Sequence, residues 1–205
     1  MNLRFEEEQK KERRRKILKE SIRFLIEAVI VIFVAWLIIT FALKKVSMIG
    51  GSMETTLYNG ENVIVNKMSY ILFSPGRNHL VAFYPEVEEE EEENLTDSAI
   101  QIRRIIGLPG EKVLIKDGNV YIDGEKLEER YEFDKMNSAG CAINEITLAE
   151  DEYFVLSDNR NDMDDSRNTS YTKVRKKNVI GRVLLRLKPF SLLGGPEKKV
   201  QEKEE

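Results

Sequence analysis

Residues 24–43 read FLIEAVIVIFVAWLIITFAL and contain a single charged side chain, Glu27. An α-helix rises about 1.5 Å per residue, so this run spans roughly 30 Å, the thickness of the hydrocarbon core of a bilayer. The run contains no proline or glycine that would interrupt a helix. We therefore predict a transmembrane helix over residues 24–43.

The charges on either side of this run differ in sign. Residues 1–23 hold nine Lys/Arg and five Glu, whereas the chain after residue 43 holds 23 Lys/Arg and 30 Asp/Glu. Basic residues beside a membrane span mark its cytoplasmic side. We expect a single-pass protein of the cell membrane, with residues 1–23 cytoplasmic and the remainder of the chain extracytoplasmic.

Two other interpretations of the apolar run fit less well. A cleavable secretory leader has a shorter apolar core and a cleavage site with small residues, which the following LKKVSMIG does not resemble. A buried core helix that is apolar on all faces would need a larger domain around it.

The composition excludes several classes of protein. The chain has 205 residues, of which 41% are hydrophobic and 33% charged, so it is neither disordered throughout nor a polytopic membrane protein. The net charge of −4 gives no basic excess for nucleic acid. The single cysteine, Cys141, excludes an internal disulfide and a cysteine-based zinc site, and the single histidine, His79, argues against a Ser-His-Asp triad. No metal or cofactor is expected.

The chain after the span has the pattern of a mostly β domain over residues 44–195. Short apolar runs alternate with turn pairs. These runs are NVIVNKM, HLVAFY, IRRIIGL, KVLIK, NVYID, EYFVL and VIGRVLLRL. KVLIKDGNVYIDG predicts a β-hairpin with Asp117-Gly118 in its turn. Residues 86–97, which include the acidic run EVEEEEEE, are expected to form a solvated loop, and residues 196–205 a frayed tail.

Three segments carry groups suited to chemistry. In the first, Gly50 and Gly51 precede Ser52 and permit a tight turn whose backbone N–H can face an oxyanion. The second, RRIIGLPGE, is a strand with two cations that ends in a Pro-Gly turn. The third, SDNRNDMDDSR from Ser157 to Arg167, is more polar than a turn requires. Each one alone is also compatible with a linker or a surface loop.

Taken together, these segments resemble the bacterial type I signal peptidases. The family pattern runs S-M-x-P-T-L, G-D-x-V-x-V-x-K, K-R-x-x-G-L-P-G-D and G-D-N-R-x-x-S-x-D-S-R. This chain reads SMETTL, GENVIVNK, RRIIGLPGE and SDNRNDMDDSR in the same order after a membrane anchor. The resemblance extends from about residue 20 to residue 190 and implies a signal-peptidase-type β domain.

The resemblance also implies an activity and a set of site residues. Members of the family are serine endopeptidases that remove signal peptides from exported preproteins through a serine–lysine dyad. Ser52 matches the nucleophile, and its backbone N–H an oxyanion donor. The residues matching those that support the active-site loops are Asp158, Asn159, Arg160, Asp165, Ser166 and Arg167. We expect Met48, Ile49 and Ile102 to line the pockets for the small residues before the cleaved bond.

The chain departs from the family at the position of the general base. Arg103 stands where the family has lysine, and Met163 where it has the serine that hydrogen-bonds that lysine. A lysine amine accepts a proton when its pKa is lowered, whereas an arginine guanidinium stays protonated in proteins. Milder departures are Thr55 for Pro and Ser157 for Gly.

Two hypotheses follow from these departures. One is a signal peptidase that cleaves preproteins; the other is an impaired homologue that binds exported chains, or assists assembly of surface proteins, without cutting. His79, Lys67 and Lys112 are weak candidates for a replacement base, because none occupies the lysine position. Cys141 is expected to be a small buried or loop residue and not a nucleophile. The expected partners are exported preproteins and the lipid bilayer.

Overall fold

The computed structural model describes residues 2–85, 99–129, 131, 133–169 and 173–193, with side chains from residue 13 onward except at 72. The predicted acidic loop at 86–97 and the tail at 196–205 lie outside the described residues. The chain divides into two compact units, Met1–Ala42 and Leu43–Glu205.

The first unit is one helix, α1, which covers Asn2–Ala42. Its segment Arg13–Ala42 is long and apolar enough to cross a membrane, and none of the most apolar window is buried. Apolar side chains on this helix are exposed, among them Phe24, Ile32 and Phe41 at 74%, 69% and 65%. This exposure is compatible with a membrane anchor and argues against a core helix of a water-soluble domain. The helix ends one residue before the predicted limit of the span.

The second unit contains two antiparallel sheets. The first has eight strands in the order β1-β2-β11-β3-β4-β9-β10, with β12 paired to β11. These strands are β1 Leu43–Ser47, β2 Asn62–Asn66, β3 Leu80–Phe83, β4 Gln101–Gly107, β9 Glu152–Leu156, β10 Val174–Arg175, β11 Val179–Arg186 and β12 Ser191–Leu192. A short helix, α2, covers Ser69–Leu72 between β2 and β3. The predicted mostly β domain is therefore confirmed.

The second sheet has four strands in the order β7-β6-β5-β8. They are β5 Lys112–Lys116, β6 Asn119–Ile122, β7 Glu125–Lys126 and β8 Ile146–Thr147. The predicted hairpin is confirmed as β5–β6, with Asp117 and Gly118 at φ +52° and +73° in its turn. Positive φ at both central residues is the type I′ geometry that suits the twist of paired strands.

The alternation of apolar residues decides which faces are buried. In β2 (NVIVN) only the two valines, Val63 and Val65, are fully buried, whereas β3 (LVAF) is buried throughout as an inner strand. Strand β4 supplies Ile102, Ile105 and Ile106 to three separate apolar clusters. This central position matters because β4 also carries Arg103 and Arg104.

Strand β11 packs closely against β2 at Gly181. A Cβ atom placed on Gly181 would lie 2.3 Å from the main-chain oxygen of Asn66 and 2.7 Å from its carbonyl carbon. Backbone atoms of a paired strand cannot rotate away as a side chain can. Glycine is therefore required here by close approach of two strands.

We expect Gly181→Ala to lower the free energy of unfolding by about 2 kcal/mol or more, because overpacking against fixed atoms typically costs 1–3 kcal/mol. The measurement is thermal or denaturant unfolding of the full chain in detergent. Gly124→Ala is the control, since a Cβ there meets nothing within 4 Å and carries only the strain of a positive φ. Equal losses in the two variants would contradict the steric explanation.

His79 is half-buried and lies in the connection between α2 and β3, immediately before β3. Its Nδ1 accepts a hydrogen bond from the Gly76 N–H at 3.1 Å and lies 3.2 Å from the Tyr70 hydroxyl, whose ring stacks on the imidazole. Burial, together with the positive charge of Arg182, lowers the pKa of His79 to about 4. The neutral ring is therefore the form that the fold favours.

This pKa gives a stability dependence with a definite sign. The unfolded chain binds a proton at His79 below about pH 6.5, whereas the folded chain does so only near pH 4. Stability from neutral His79 is thus present above pH 6.5 and is lost as the pH falls towards 4. Between pH 7 and pH 4.5, the wild type should lose more thermal stability than His79→Asn, which keeps an acceptor for Gly76. Parallel loss in both proteins would show that His79 does not titrate in this range.

Candidate active site

Ser52 lies in the connection between β1 and β2, on a turn anchored at both sides. The Gly50 N–H donates to Asn59 Oδ1 at 3.1 Å, and Gly50 adopts φ +81°, which glycine reaches without strain. Met53 and Leu57, both fully buried, fasten the turn into the core cluster beneath it. Ser52 itself is only 3% exposed.

The polar segment after β9 is organised around the buried carboxylate of Asp165. This carboxylate accepts the backbone N–H groups of Ser157 and Arg167 at 2.9 and 3.0 Å, and the Arg167 guanidinium at 2.9 and 2.7 Å. The remaining Arg167 donors reach the carbonyl oxygens of Ser138, Arg160 and Asp162. A buried ion pair whose other donors are also satisfied holds the loop in one conformation.

Ser166 ties the same loop to the sheet. Its hydroxyl accepts the Val155 N–H at 3.0 Å, and its own N–H donates to the Val155 carbonyl at 3.1 Å. Its carbonyl accepts the thiol of Cys141 at 3.3 Å. Burial raises the pKa of this half-buried thiol and so favours its neutral form, which is the less nucleophilic one.

A second buried ion pair joins β4 to the loop. Arg104 donates to both oxygens of Asp158, at 2.8 and 2.6 Å, and Asp158 Oδ2 also accepts the Thr56 hydroxyl at 2.5 Å. Burial opposes the charge on Arg104, but the hydrogen bonds and the charge of Asp158 outweigh it and raise the pKa of Arg104. Asp158 thus connects β4 with the turn that carries Ser52.

The next residue along the loop contacts Ser52 directly. The Asn159 N–H donates to the Ser52 carbonyl at 3.0 Å, and Asn159 Nδ2 lies 3.5 Å from the Gly51 carbonyl. The serine turn and the 157–167 loop, distant in sequence, are therefore in contact.

Arg103 faces the same loop but is bound to Asp164. Its Nε donates to the Asp164 carbonyl, its second terminal nitrogen to Asp164 Oδ2 at 2.5 Å, and the other to the Ile102 carbonyl at 2.6 Å. Arg103 is 2% exposed and the Asp164 side chain 53%. Within the part of the chain that the structure describes, Ser52 Oγ is buried and has no hydrogen-bond partner. Ser52 and Arg103 thus border one loop without a hydrogen bond between them.

The predicted pocket residues differ in accessibility. Met48 and Ile102 are almost fully buried in the core cluster under the serine turn, at 2% and 1% exposed. Ile49, at 57%, offers its side chain to solvent. A pocket here would have Ile49 at its accessible rim, with the other two as its floor.

The weak candidates for a replacement base are placed elsewhere. His79 is held by Gly76 and Tyr70 as described above, and Lys112 pairs with Glu145 at 3.0 Å. Lys67 follows β2 at the opposite end of that strand from the serine turn. Among the described residues, no hydrogen bond joins His79, Lys67 or Lys112 to Ser52.

Several residues that take part in this arrangement were not predicted. Asp164 is one, because a carboxylate in an acidic loop gives no sign of its partner. The others lie in residues 127–136. Glu129 receives the Arg160 guanidinium at 2.9 and 2.5 Å, and the rings of Tyr131 and Phe133 cover Arg104 and Arg160.

The chain is similar to known proteins over most of its length. Residues 21–188 match the family described as "Signal peptidase, peptidase S26". A probable signal peptidase I-2 from Synechocystis sp. is 34% identical over 155 residues, which cover 76% of this chain and 67% of the relative. Signal peptidase I from Leptolyngbya laminosa is 36% identical over 143 residues, which cover 70% and 68%.

A crystal structure of a signal peptidase I from Enterococcus faecalis V583 is 29% identical, covers 53% of this chain and 95% of the other, and has a TM-score of 0.38. From the family match over residues 21–188 and relatives above 30% identity, the chain belongs to the signal peptidase family, peptidase S26.

Proposed function

We propose that the chain is a type I signal peptidase, a serine endopeptidase that cleaves N-terminal signal peptides from exported preproteins at the outer surface of the cell membrane. The observation that carries the proposal is the contact between the Asn159 N–H and the Ser52 carbonyl. It brings together two separate motifs of the family beside the buried Asp158–Arg104 pair.

The proposed location follows from the charges around the apolar helix. The basic residues before it favour a cytoplasmic N-terminus, and the β domain would then lie on the other side of the membrane. Ser52 comes about nine residues after the span, so the extended chain keeps it within roughly 30 Å of the bilayer. Substrates whose signal segments sit in the bilayer would emerge within this distance.

The sheet offers an edge at which such a substrate can bind. Strand β1 lies at one edge of the first sheet and leads directly into Met48, Ile49 and the serine turn. An extended substrate segment can add to such an edge through main-chain hydrogen bonds. Ile49 at the rim would then contact the residues that precede the cleaved bond.

Catalysis would proceed through an acyl-enzyme. Ser52 Oγ attacks the scissile carbonyl, the amine of the mature protein leaves, and water hydrolyses the ester. The Ser52 backbone N–H would donate to the oxyanion. The serine proton must pass to an acceptor, and Arg103 cannot be that acceptor because a guanidinium only donates.

This difficulty supports a second candidate function: an impaired homologue that binds exported chains, or assists their assembly, without cleaving them. The specific observation is that Arg103 is held by Asp164 and the Ile102 carbonyl while Ser52 Oγ has no hydrogen-bond partner among the described residues. The edge of β1 and the exposed Ile49 would remain available for binding.

Preprotein cleavage by the full chain in detergent tests the first candidate. We expect the wild type to release the mature protein and Ser52→Ala to reduce the rate by at least about 10³-fold, because the nucleophile is removed. Gel analysis and N-terminal sequencing of the product provide the measurement. If the wild type binds the preprotein and leaves it uncut, the second candidate replaces the first.

Restoring the family residues tests the role of the base. We expect Arg103→Lys with Met163→Ser to raise kcat/KM by about 10²-fold or more, since a positioned general base contributes 10²–10⁴-fold. Arg103→Lys alone should gain less, because Met163 offers only a weak acceptor to orient the amine.

A change at Asp164 provides a second test of the Arg103→Lys/Met163→Ser variant. A nearby carboxylate favours the charged form of a lysine, so adding Asp164→Asn to Arg103→Lys/Met163→Ser should increase the rate further at pH 7. A double variant no faster than a cleaving wild type would show that the proton acceptor lies outside positions 103 and 163.

A further inference from the structure

Arg104 on β4 and Arg160 in the 157–167 loop are covered by aromatic rings of the segment that follows β7. This segment, called the strap, consists of the described residues 127–129, 131 and 133–136, which follow β7. The Tyr131 ring lies 4.0 Å from Arg104 Cζ, and the Phe133 ring 3.8 Å from Arg160 Cζ. The two rings are themselves adjacent, with centroids 5.9 Å apart.

The strap also contacts the loop through polar groups. Glu129 accepts both terminal nitrogens of Arg160, and the Asn137 N–H, just after the strap, donates to Asn161 Oδ1 at 3.1 Å. Arg160 is 1% exposed, and its Nε is buried without a hydrogen-bond partner among the described residues. The face of Phe133 therefore compensates an arginine that hydrogen bonds alone do not satisfy.

Both covered arginines lie one contact away from the serine turn. Arg104 donates hydrogen bonds to Asp158, which in turn accepts a hydrogen bond from the Thr56 hydroxyl of that turn. Arg160 directly follows Asn159, whose N–H binds the Ser52 carbonyl. Tyr131 thus stacks on the arginine that binds Asp158, and Phe133 on Arg160 itself, while Asn159 between these two loop residues donates to the Ser52 carbonyl.

We propose that Tyr131 and Phe133 are positioning residues for Ser52, acting through stacking on Arg104 and Arg160. Each aromatic face excludes water from its planar guanidinium and holds it against the loop, and so keeps the Asn159 N–H on the Ser52 carbonyl. Among the hydrogen bonds and ring contacts of the described residues, none joins the strap to Ser52 or Arg103. The effect of the strap is on the placement of the nucleophile, and its loss leaves the two sheets folded.

Hydrogen exchange of the full chain in detergent, followed by mass spectrometry of peptides covering Asn159, measures this placement without turnover. Tyr131→Leu and Phe133→Leu should each speed exchange at the Asn159 amide about tenfold, the scale of a desolvated cation–π contact. Tyr131→Phe and Phe133→Tyr keep an aromatic face and should stay within about twofold of wild type.

Tyr121→Leu is the matched control, since it removes a half-buried tyrosine from β6 of the same sheet. It should leave exchange at Asn159 unchanged even if it lowers the unfolding temperature. Unchanged Asn159 exchange in both leucine variants, or equal damage by Phe and Leu at position 131, would overturn the proposal. Failure of both leucine variants to fold would also overturn the proposal, because the two sheets are expected to fold without these rings.

Steady-state cleavage adds a second readout that rests on the proposed peptidase function. The leucine variants should lower kcat about tenfold with KM within about twofold, because binding at the β1 edge does not involve the strap. An equal rise in KM with unchanged kcat would contradict a positioning role. A wild type that does not cleave, with Asn159 exchange responding as expected, would refute the proposed function and leave the positioning of Ser52 supported.

Discussion

The site depends on burying two arginine–aspartate pairs, Arg104–Asp158 and Arg167–Asp165, beside strands of the first sheet. All four side chains are at most 3% exposed. Removing charges from water is costly, and the attraction between them offsets this cost only when the other donors and acceptors are also satisfied. Here carbonyl oxygens, backbone N–H groups and the Thr56 hydroxyl fill those positions. Because so many groups must be satisfied together, the loop between Ser157 and Arg167 has little freedom to adopt another conformation.

Arg103 is a further buried arginine at this loop, beside Arg104, Arg160 and Arg167. A guanidinium brings five donors in a fixed plane, and a buried one needs acceptors for them. Asp164 supplies a carboxylate and a main-chain oxygen, and Ile102 supplies another carbonyl. Met163 stands where the resemblance to the family implies a serine, so the hydroxyl that would orient a lysine is absent at this position. Asp164 and the Ile102 carbonyl thus provide the acceptors that a permanent cation needs, at a position where the resemblance to the family implies a lysine.

The sequence predicted the parts of this protein that depend on local patterns. The apolar run at 24–43 predicted a helix, alternating valines predicted β2, and Asp117-Gly118 predicted the β5–β6 turn, because each signal involves neighbouring residues. Strands such as β7, β8, β10 and β12 have two residues each and carry no periodicity. The pairing of Arg103 with Asp164 and the strap over Arg104 depend on contacts between distant segments. No local pattern specifies those contacts.

The same distinction explains why family membership and chemical competence are separate questions for this chain. The segments around Ser52 and Asp165 form one scaffold. Ion pairs, backbone hydrogen bonds and packing stabilise it. Proton transfer from Ser52 requires one further property, an uncharged acceptor at the hydroxyl, which none of those interactions provides. A site can therefore keep the geometry that holds a nucleophile while the group that would activate it has become part of the support. In this protein the guanidinium of Arg103 binds Asp164, which belongs to the loop that contacts the turn of Ser52, and its permanent charge would prevent it from accepting a proton from Ser52, the nucleophile that we propose.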